Sequence, residues 1–340
     1  MRIIVDGFGG DNAPLSVLQG CELAINEYDI DITVTGDKNK IIEVAKENNI
    51  NIAKMEIVNA KTVIPVCAEP SSIMAEYSDC SMAVAFKLLA EGKGDAVVCA
   101  GSTGAIVVGA SLILKRIKGI KRAALAPIMP ADKGCYILLD VGANIECRPE
   151  MLLQFGIMGS IYMNKIMKIE SPRVALVNIG AEETKGGDLQ LQSYKMFSNY
   201  KGFNFQGNIE PRYIPGGDAD VVIADGFTGN VILKLTEGMG KMISSNMKEI
   251  FSGFGGKIAG AIVLKKIKAF KNKMDYTEYG GAPLMGISKP VIKAHGSSNA
   301  KAFKNAIRQA RDFAKMGVID EITNSIAQIK ASQAEKKSAE

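Results

Sequence analysis

Short apolar runs ending in polar, glycine-rich loops alternate along this chain with longer stretches that carry apolar residues at helical spacing. The clearest case is 220–238, DVVIADGFTGNVILKLTEG. Its apolar run is too short for a helix, and Val221, Val222 and Ile223 are β-branched, which predicts a strand. Asp225, Gly226, Phe227, Thr228, Gly229 and Asn230 follow, and the two glycines admit turns that other residues resist. Val231, Leu235 and Met239, with Ile232 alongside, then recur at helical spacing. Strand, polar loop and helix in that order aim backbone N–H groups and a positive helix end beyond the strand, as one wall of an anion site. One such loop carries little weight, but the chain repeats it.

Residues 2–6 predict a first strand, closed by GFGGDNAP with Gly9, Gly10, Asp11 and Asn12. That loop approaches a dinucleotide fingerprint, yet Asn12 stands where the third glycine belongs and Pro14 opens the helix, a position that suits proline. Further strands are expected at 32–35, 55–58, 96–99, 123–129, 136–141, 174–178 and 291–294. Helices are expected from about 39 and over 81–91, 150–167 and 300–315. Residues 61–80, with Pro65 and Pro70, predict an irregular connection. Strand-end loops recur at Gly36-Asp37, at GSTG (Gly101, Ser102, Thr103, Gly104), at DVGAN (Asp140 to Asn144), at GAEETKGG (180–187) and at HGSSN (His295 to Asn299). The alternation predicts an α/β fold of three αβα layers, doubly wound around a mainly parallel sheet. Ligands of such sheets bind beyond the carboxyl ends of the strands, so these loops are expected to converge on one cleft. No linker divides the chain. One α/β domain is expected over 1–328, with a polar, disordered tail over 329–340.

Composition narrows the function. In 340 residues the apolar fraction is 47%, enough for a sizeable core. Aromatics make up 6% and tryptophan is absent, which argues against carbohydrate binding and base stacking on single strands. Six cysteines without CxxC spacing lie mostly in apolar runs, which predicts buried free thiols in a reducing cytosol. With a single histidine, a His-rich metal site is excluded, and the reading calls for neither metal nor cofactor. The opening MRIIVDGFGG is already strand and turn, leaving no room for a signal peptide, and no apolar run approaches the roughly 20 residues of a membrane span.

Chemistry concentrates in the loops. Lys185, between Glu182-Glu183 and Gly186-Gly187, can lean over a phosphate cradled by backbone N–H groups; a solvated loop lysine is the alternative. His295 is the one side chain expected to titrate near neutrality without perturbation, and a structural histidine at a strand end is its alternative. Asp6, Asp140 and Asp225 end strands, where metal binding, orientation of partners and helix capping compete. Asn144 and Asn230 are neutral donors able to polarise a carbonyl, or simply turn residues. No GxSxG elbow is present, so acyl chemistry here avoids a covalent acyl-enzyme and suits a nucleophile already reactive at neutral pH, such as inorganic phosphate.

A basic, apolar hairpin is expected over 235–275. Leu235, Met239, Met242, Ile243, Met247 and Ile250 share a helical face, which FSGFGG (Phe251, Phe254) breaks. Val263, Ile267, Phe270 and Met274 continue a second helix beside Lys257, Lys265, Lys266, Lys268, Lys271 and Lys273. Packing into the core or a second copy, a reversible membrane-surface contact and docking of an acidic protein all fit. Nucleic acid does not, for want of a binding motif at a net charge of +5.

Eight segments in order, VDGFGGDNAP, GSTGA, DVGANIECRPE, QFGIMGSIY, NIGAEETKGG, ADGFTGNV, YGGAPLMG and AHGSSNAKAF, resemble the bacterial phosphate acyltransferase (PlsX) family of phospholipid synthesis from residue 1 to about 327. The resemblance implies transfer of a fatty acyl group from acyl carrier protein to inorganic phosphate. It also implies a homodimer, a fold like phosphotransacetylases and isopropylmalate-type dehydrogenases, peripheral membrane attachment of a cytoplasmic protein, and delivery of acyl phosphate to a membrane glycerol-3-phosphate acyltransferase. On matching positions, Lys185 would neutralise phosphate, Asn230 with His295 would stabilise the thioester oxyanion or departing thiolate, and Asp225 would position one of these. The other strand-end residues, among them Asp6, Ser102, Thr228 and Ser297, would line the substrate cleft. Two departures stand out: Ser102 replaces the asparagine of GNTGA, and MAEYSD before Ser81 replaces a basic run. Rival readings are a short-chain phosphotransacylase using coenzyme A, an NAD-dependent dehydrogenase and a non-catalytic membrane-surface scaffold.

Overall fold

The computed structural model describes residues 1–251 and 276–339, with Lys265 and Ile267 between. Strands β1 (Arg2–Asp6), β2 (Asp31–Gly36), β3 (Met55–Asn59) and β4 (Ala96–Cys99) alternate with helices α1 (Leu15–Tyr28), α2 (Lys38–Glu47) and α3 (Ser81–Ala90). Helix α4 (Thr103–Gly109) leads to β5 (Ala124–Leu125), β6 (Ile128–Pro130), β7 (Cys135–Leu139) and α5 (Pro149–Lys165). Then follow β8 (Arg173–Val177), α6 (Asp188–Asn199), β9 (Asn204–Ile209), β10 (Val221–Ile223) and α7 (Gly226–Ile250). Strands β11 (Ala282–Met285) and β12 (Val291–Lys293) and helices α8 (Ala300–Lys315) and α9 (Val318–Ala339) complete the chain.

The mainly parallel α/β architecture is present, divided over two sheets. One runs β3-β2-β1-β4-β12-β11-β5 and the other β6-β7-β10-β8-β9. Among the described strands, the β11–β12, β5–β11 and β6–β7 pairs are antiparallel and the others parallel. The division falls in the expected strand 123–129. Pro127 has no N–H for a ladder, so Ala124–Leu125 pairs with β11 in one sheet and Ile128–Pro130 with β7 in the other. Strands β9 and β11 were not expected: NFQGNI carries polar residues and a glycine, and APLM is four residues with a proline.

Helix α9 packs against the core through buried Val318, Ile322 and Ile326. Helix α8 has its sequence-expected bounds. Asn299 caps it by accepting from Ala302 N at 3.0 Å, and Phe303, Ile307, Ala310 and Phe313 turn into the core. Helix α7 ends where FSGFGG begins, and Leu235, Met239, Met242, Ile243 and Ile250 on it are exposed. The second helix of the expected hairpin, with Phe254, Lys257, Val263, Lys266, Lys268 and Phe270, lies outside the described residues; Lys265 is exposed, and Ile267 and Phe251 are half-buried.

Candidate active site

Polar loops gather at the carboxyl ends of neighbouring strands in both sheets. In the second sheet, β10 lies between β7 and β8. Fully buried Asp140, just past β7, accepts from Leu125 N at 2.8 Å, Ala143 N at 3.3 Å and Asn144 N at 2.6 Å. Burial pushes its carboxyl up to about 6, against the pull of these bonds. Asn144 Nδ2 donates to Asp140 at 3.0 Å and to Ala123 O at 2.7 Å, so both amide hydrogens serve the loop itself. Asp140 and Asn144 are thus a strut, on which α7 sits. Gly226 N donates to Asn144 O at 2.8 Å. A Cβ at Gly226 would stand 2.3 Å from Asn144 O, and one at Gly229 would stand 1.9 Å from Asp140 O, so glycine is required at both.

Asp225 is the N-cap of α7. One of its carboxylate oxygens accepts from Thr228 N at 2.9 Å and the other from Thr228 Oγ1 at 2.8 Å. The capping alternative therefore describes its contacts, and through them it sets the turn that carries Asn230. Asn230 is exposed beside Gly142, and its amide has no hydrogen-bond partner among the described residues. Beyond β8, the 180–187 loop wraps buried Asn178, whose amide donates to Lys185 O at 3.0 Å and whose Oδ1 accepts from Ile179 N at 2.8 Å. Gly186 there has φ +91°, and a Cβ would meet Asn178 Oδ1 at 2.6 Å. The Lys185 side chain stands exposed, with no ion pair among the described residues.

In the first sheet, β1, β4 and β12 are adjacent. Asp6 is buried, which raises its carboxyl above the ordinary range; a Ser81 side-chain bond and Phe8 N, at 3.3 Å, act the other way. A Cβ at Gly9 would meet Asp6 Oδ2 and Gly101 N, each at 2.8 Å. Asp11 N donates to Gly296 O at 2.8 Å, and Asn12 Nδ2 reaches Ser297 O and Ser298 O at 3.5 Å. Gly10 turns there with φ +99°. Ser102, half-buried like Thr103 and Gly104, begins α4 without a side-chain cap bond. These contacts bring the 7–12, 101–104 and 295–299 loops together.

His295 holds the decisive geometry. Its Nδ1 accepts from Ser297 N at 3.2 Å and lies 2.9 Å from Ser297 Oγ. With the Nδ1 lone pair used, the proton of the neutral ring sits on Nε2. Nε2 faces Glu237 Oε1 of α7 at 4.0 Å, and the other oxygen of Glu237 meets Lys234 Nζ at 2.8 Å. Burial lowers the imidazole below its ordinary range, with Lys293, Lys234 and Lys241 acting in the same direction and Glu237 opposing them. Burial likewise lowers Lys293. Helix α7 therefore joins the halves: Asn230 stands in its first turn over the second sheet, and Glu237, seven residues or about 10 Å further on, faces the histidine of the first. No hydrogen bond or ion pair links Lys185 to this histidine among the described residues.

Sequence reading missed Lys234, Glu237 and Lys293. The available signals were slight: Glu237 follows Asn230 at i+7, on one helical face, and Lys293 precedes His295 by two, on one face of the strand. The cysteines are free, three of them buried; Cys67 is exposed. Among the described residues no group of three His, Cys, Asp or Glu side chains could hold a metal, and no helix is long and apolar enough to cross a membrane.

The family described as "Fatty acid synthesis protein" matches residues 1–321. Phosphate acyltransferase of Clostridium botulinum (strain ATCC 19397 / Type A) is 46% identical over 331 residues, which are 97% of this chain and 98% of that one. The chain belongs to the phosphate acyltransferase (PlsX) family. A phosphate acyltransferase of this family from Alkaliphilus oremlandii is also 46% identical, over 330 residues covering 97% of this chain and 98% of its own. The fold extends beyond the PlsX family. EutD phosphotransacetylase from Staphylococcus aureus superposes with a TM-score of 0.61 at 17% identity, covering 92% of this chain and 94% of its own. A phosphotransacetylase from Streptococcus pyogenes gives 0.63 at 15% identity over the same shares.

Proposed function

We propose that this chain transfers a long-chain fatty acyl group from acyl carrier protein to inorganic phosphate, giving acyl phosphate for phospholipid synthesis. Family membership supports the reaction class. The observation that carries the residue roles is His295, held by Ser297 as an Nε2–H donor and facing the same helix α7 that bears Asn230, an exposed amide with no hydrogen-bond partner among the described residues. A phosphate oxygen attacks the thioester carbonyl carbon, and the carbonyl electrons move onto oxygen, where neutral donors such as Asn230 and His295 stabilise the charge. The C–S bond then breaks, and the proton given up by hydrogen phosphate balances the one taken by the departing thiolate. Lys185, exposed at the end of a strand adjacent to β10, neutralises phosphate. No acyl-enzyme is needed, because phosphate is a competent nucleophile at neutral pH.

The exposed apolar row of α7 supports a surface completed by another body. In this reading the protein works as a cytoplasmic homodimer. It touches the membrane reversibly through the end of α7 and the segment beyond it, and passes acyl phosphate to a membrane glycerol-3-phosphate acyltransferase. The test mixes purified protein with long-chain acyl–acyl carrier protein and phosphate and traps the product with hydroxylamine. Phosphate-dependent acyl hydroxamate is expected. Product from acyl-coenzyme A but none from the carrier protein would replace the donor; no product from either would end the reading.

A further inference from the structure

Glu237 belongs to a helix whose neighbouring face lies open, yet its side chain is only 11% exposed. A carboxylate so placed needs partners. Lys234 satisfies one oxygen, and the other is turned to the His295 ring. We propose that Glu237 is a positioning residue for the acyl transfer, acting through His295: from a helix rooted in the second sheet, its carboxylate holds the ring of the first sheet with the proton on Nε2.

Two contacts at opposite ends of the ring select the same tautomer. Ser297 N–H can only donate, so Nδ1 must accept; a carboxylate can only accept, so it favours a proton on the nitrogen facing it. At 4.0 Å the contact with Glu237 is longer than a hydrogen bond, so the carboxylate orients the Nε2–H by charge. The charges around the ring give Glu237 a second task. Lys234 and Lys241 on α7 and Lys293 on β12 act on His295 from one side of the charge balance, and Glu237 opposes them. Removing Glu237 takes away an anion that opposes these lysines and disfavours positive charge on the ring.

The inference rests on the acyl-transfer reading for its purpose, but its physical content can be tested without turnover. Because the chain has one histidine, NMR of the intact free protein gives one imidazole to follow. In Glu237→Gln the titration midpoint should move to lower pH and the Nδ1–H tautomer should gain population. The kcat for acyl phosphate should fall about tenfold, part of what a positioned donor contributes, with KM for phosphate unchanged. In Lys234→Gln the midpoint should move the opposite way. Folded Glu237→Gln protein with the wild-type midpoint and tautomer ratio would overturn the proposal, and should that variant not fold, an unmoved midpoint in Lys234→Gln would do so. Failure of the wild type to make acyl phosphate would instead refute the reaction and leave the Glu237–His295 coupling to the spectra.

Discussion

The seat of α7 on the Asp140 loop can be tested with one methyl group. In Gly229→Ala the added Cβ would lie 1.9 Å from the Asp140 carbonyl oxygen. A carbon–oxygen contact requires over roughly 3 Å, so helix and loop must separate by about 1 Å. The obstacle is backbone, which has no rotamer to turn away. That places the cost at the upper end of overpacking, about 3 kcal/mol. A chain of 340 residues melts with an entropy of about 0.7 kcal/mol per degree, so Tm should fall by about 4 °C. Asn230 is the next residue, and a 1 Å displacement of a reacting group costs about 100-fold in rate. Scanning calorimetry and the hydroxamate assay read the two effects. Gly240→Ala is the control: it lies in the same helix, meets nothing within 4 Å among the described residues, and should gain up to about 1 kcal/mol from helix propensity. If Gly229→Ala kept both Tm and activity, the close seating of α7 would be wrong.

Asp225→Ser, which preserves an N-cap oxygen, should keep most activity, whereas Asp225→Ala should lose about 1 kcal/mol and misplace Asn230; equal activities would point to direct chemistry by the carboxylate. Lys185→Ala should raise KM for phosphate about 10-fold or more without moving Tm, since the side chain is exposed and makes no ion pair among the described residues; an unchanged KM would remove Lys185 from the phosphate site. Asp140 carries a pH signature. Its folded-state pKa of about 6 lies above the ordinary 3.8, so between those values the folded chain binds more protons than the unfolded one, and the stability Asp140 contributes falls as pH rises through that window. Calorimetric stability of the wild type relative to Asp140→Asn should decline with pH across it, and a flat difference would contradict the burial effect.

Local pattern determined much of this molecule. Ala96–Cys99 and Ala300–Lys315 have the bounds their periodicity dictates, because alternation and helical spacing are short-range properties that each segment carries with it. The polar strand ends were legible for the same reason, as were the eight family segments. What the pattern could not hold was partnership. Pro127 divides two sheets only because β5 and β6 find different neighbours. The Asn144 amide reads as a free donor until Ala123 O and Asp140 are folded onto it. Asp225 reads as a candidate for chemistry until Thr228 closes on it, and His295 as an ordinary titrating imidazole until burial and three lysines lower it. Glu237 was the largest omission, since a glutamate in an apolar helical run has the same local signature whether water or an imidazole faces it. Side-chain direction along the chain was set by the sequence. Strand order and the crossing of α7 between the sheets, which depend on long-range burial, decided which of those side chains meet.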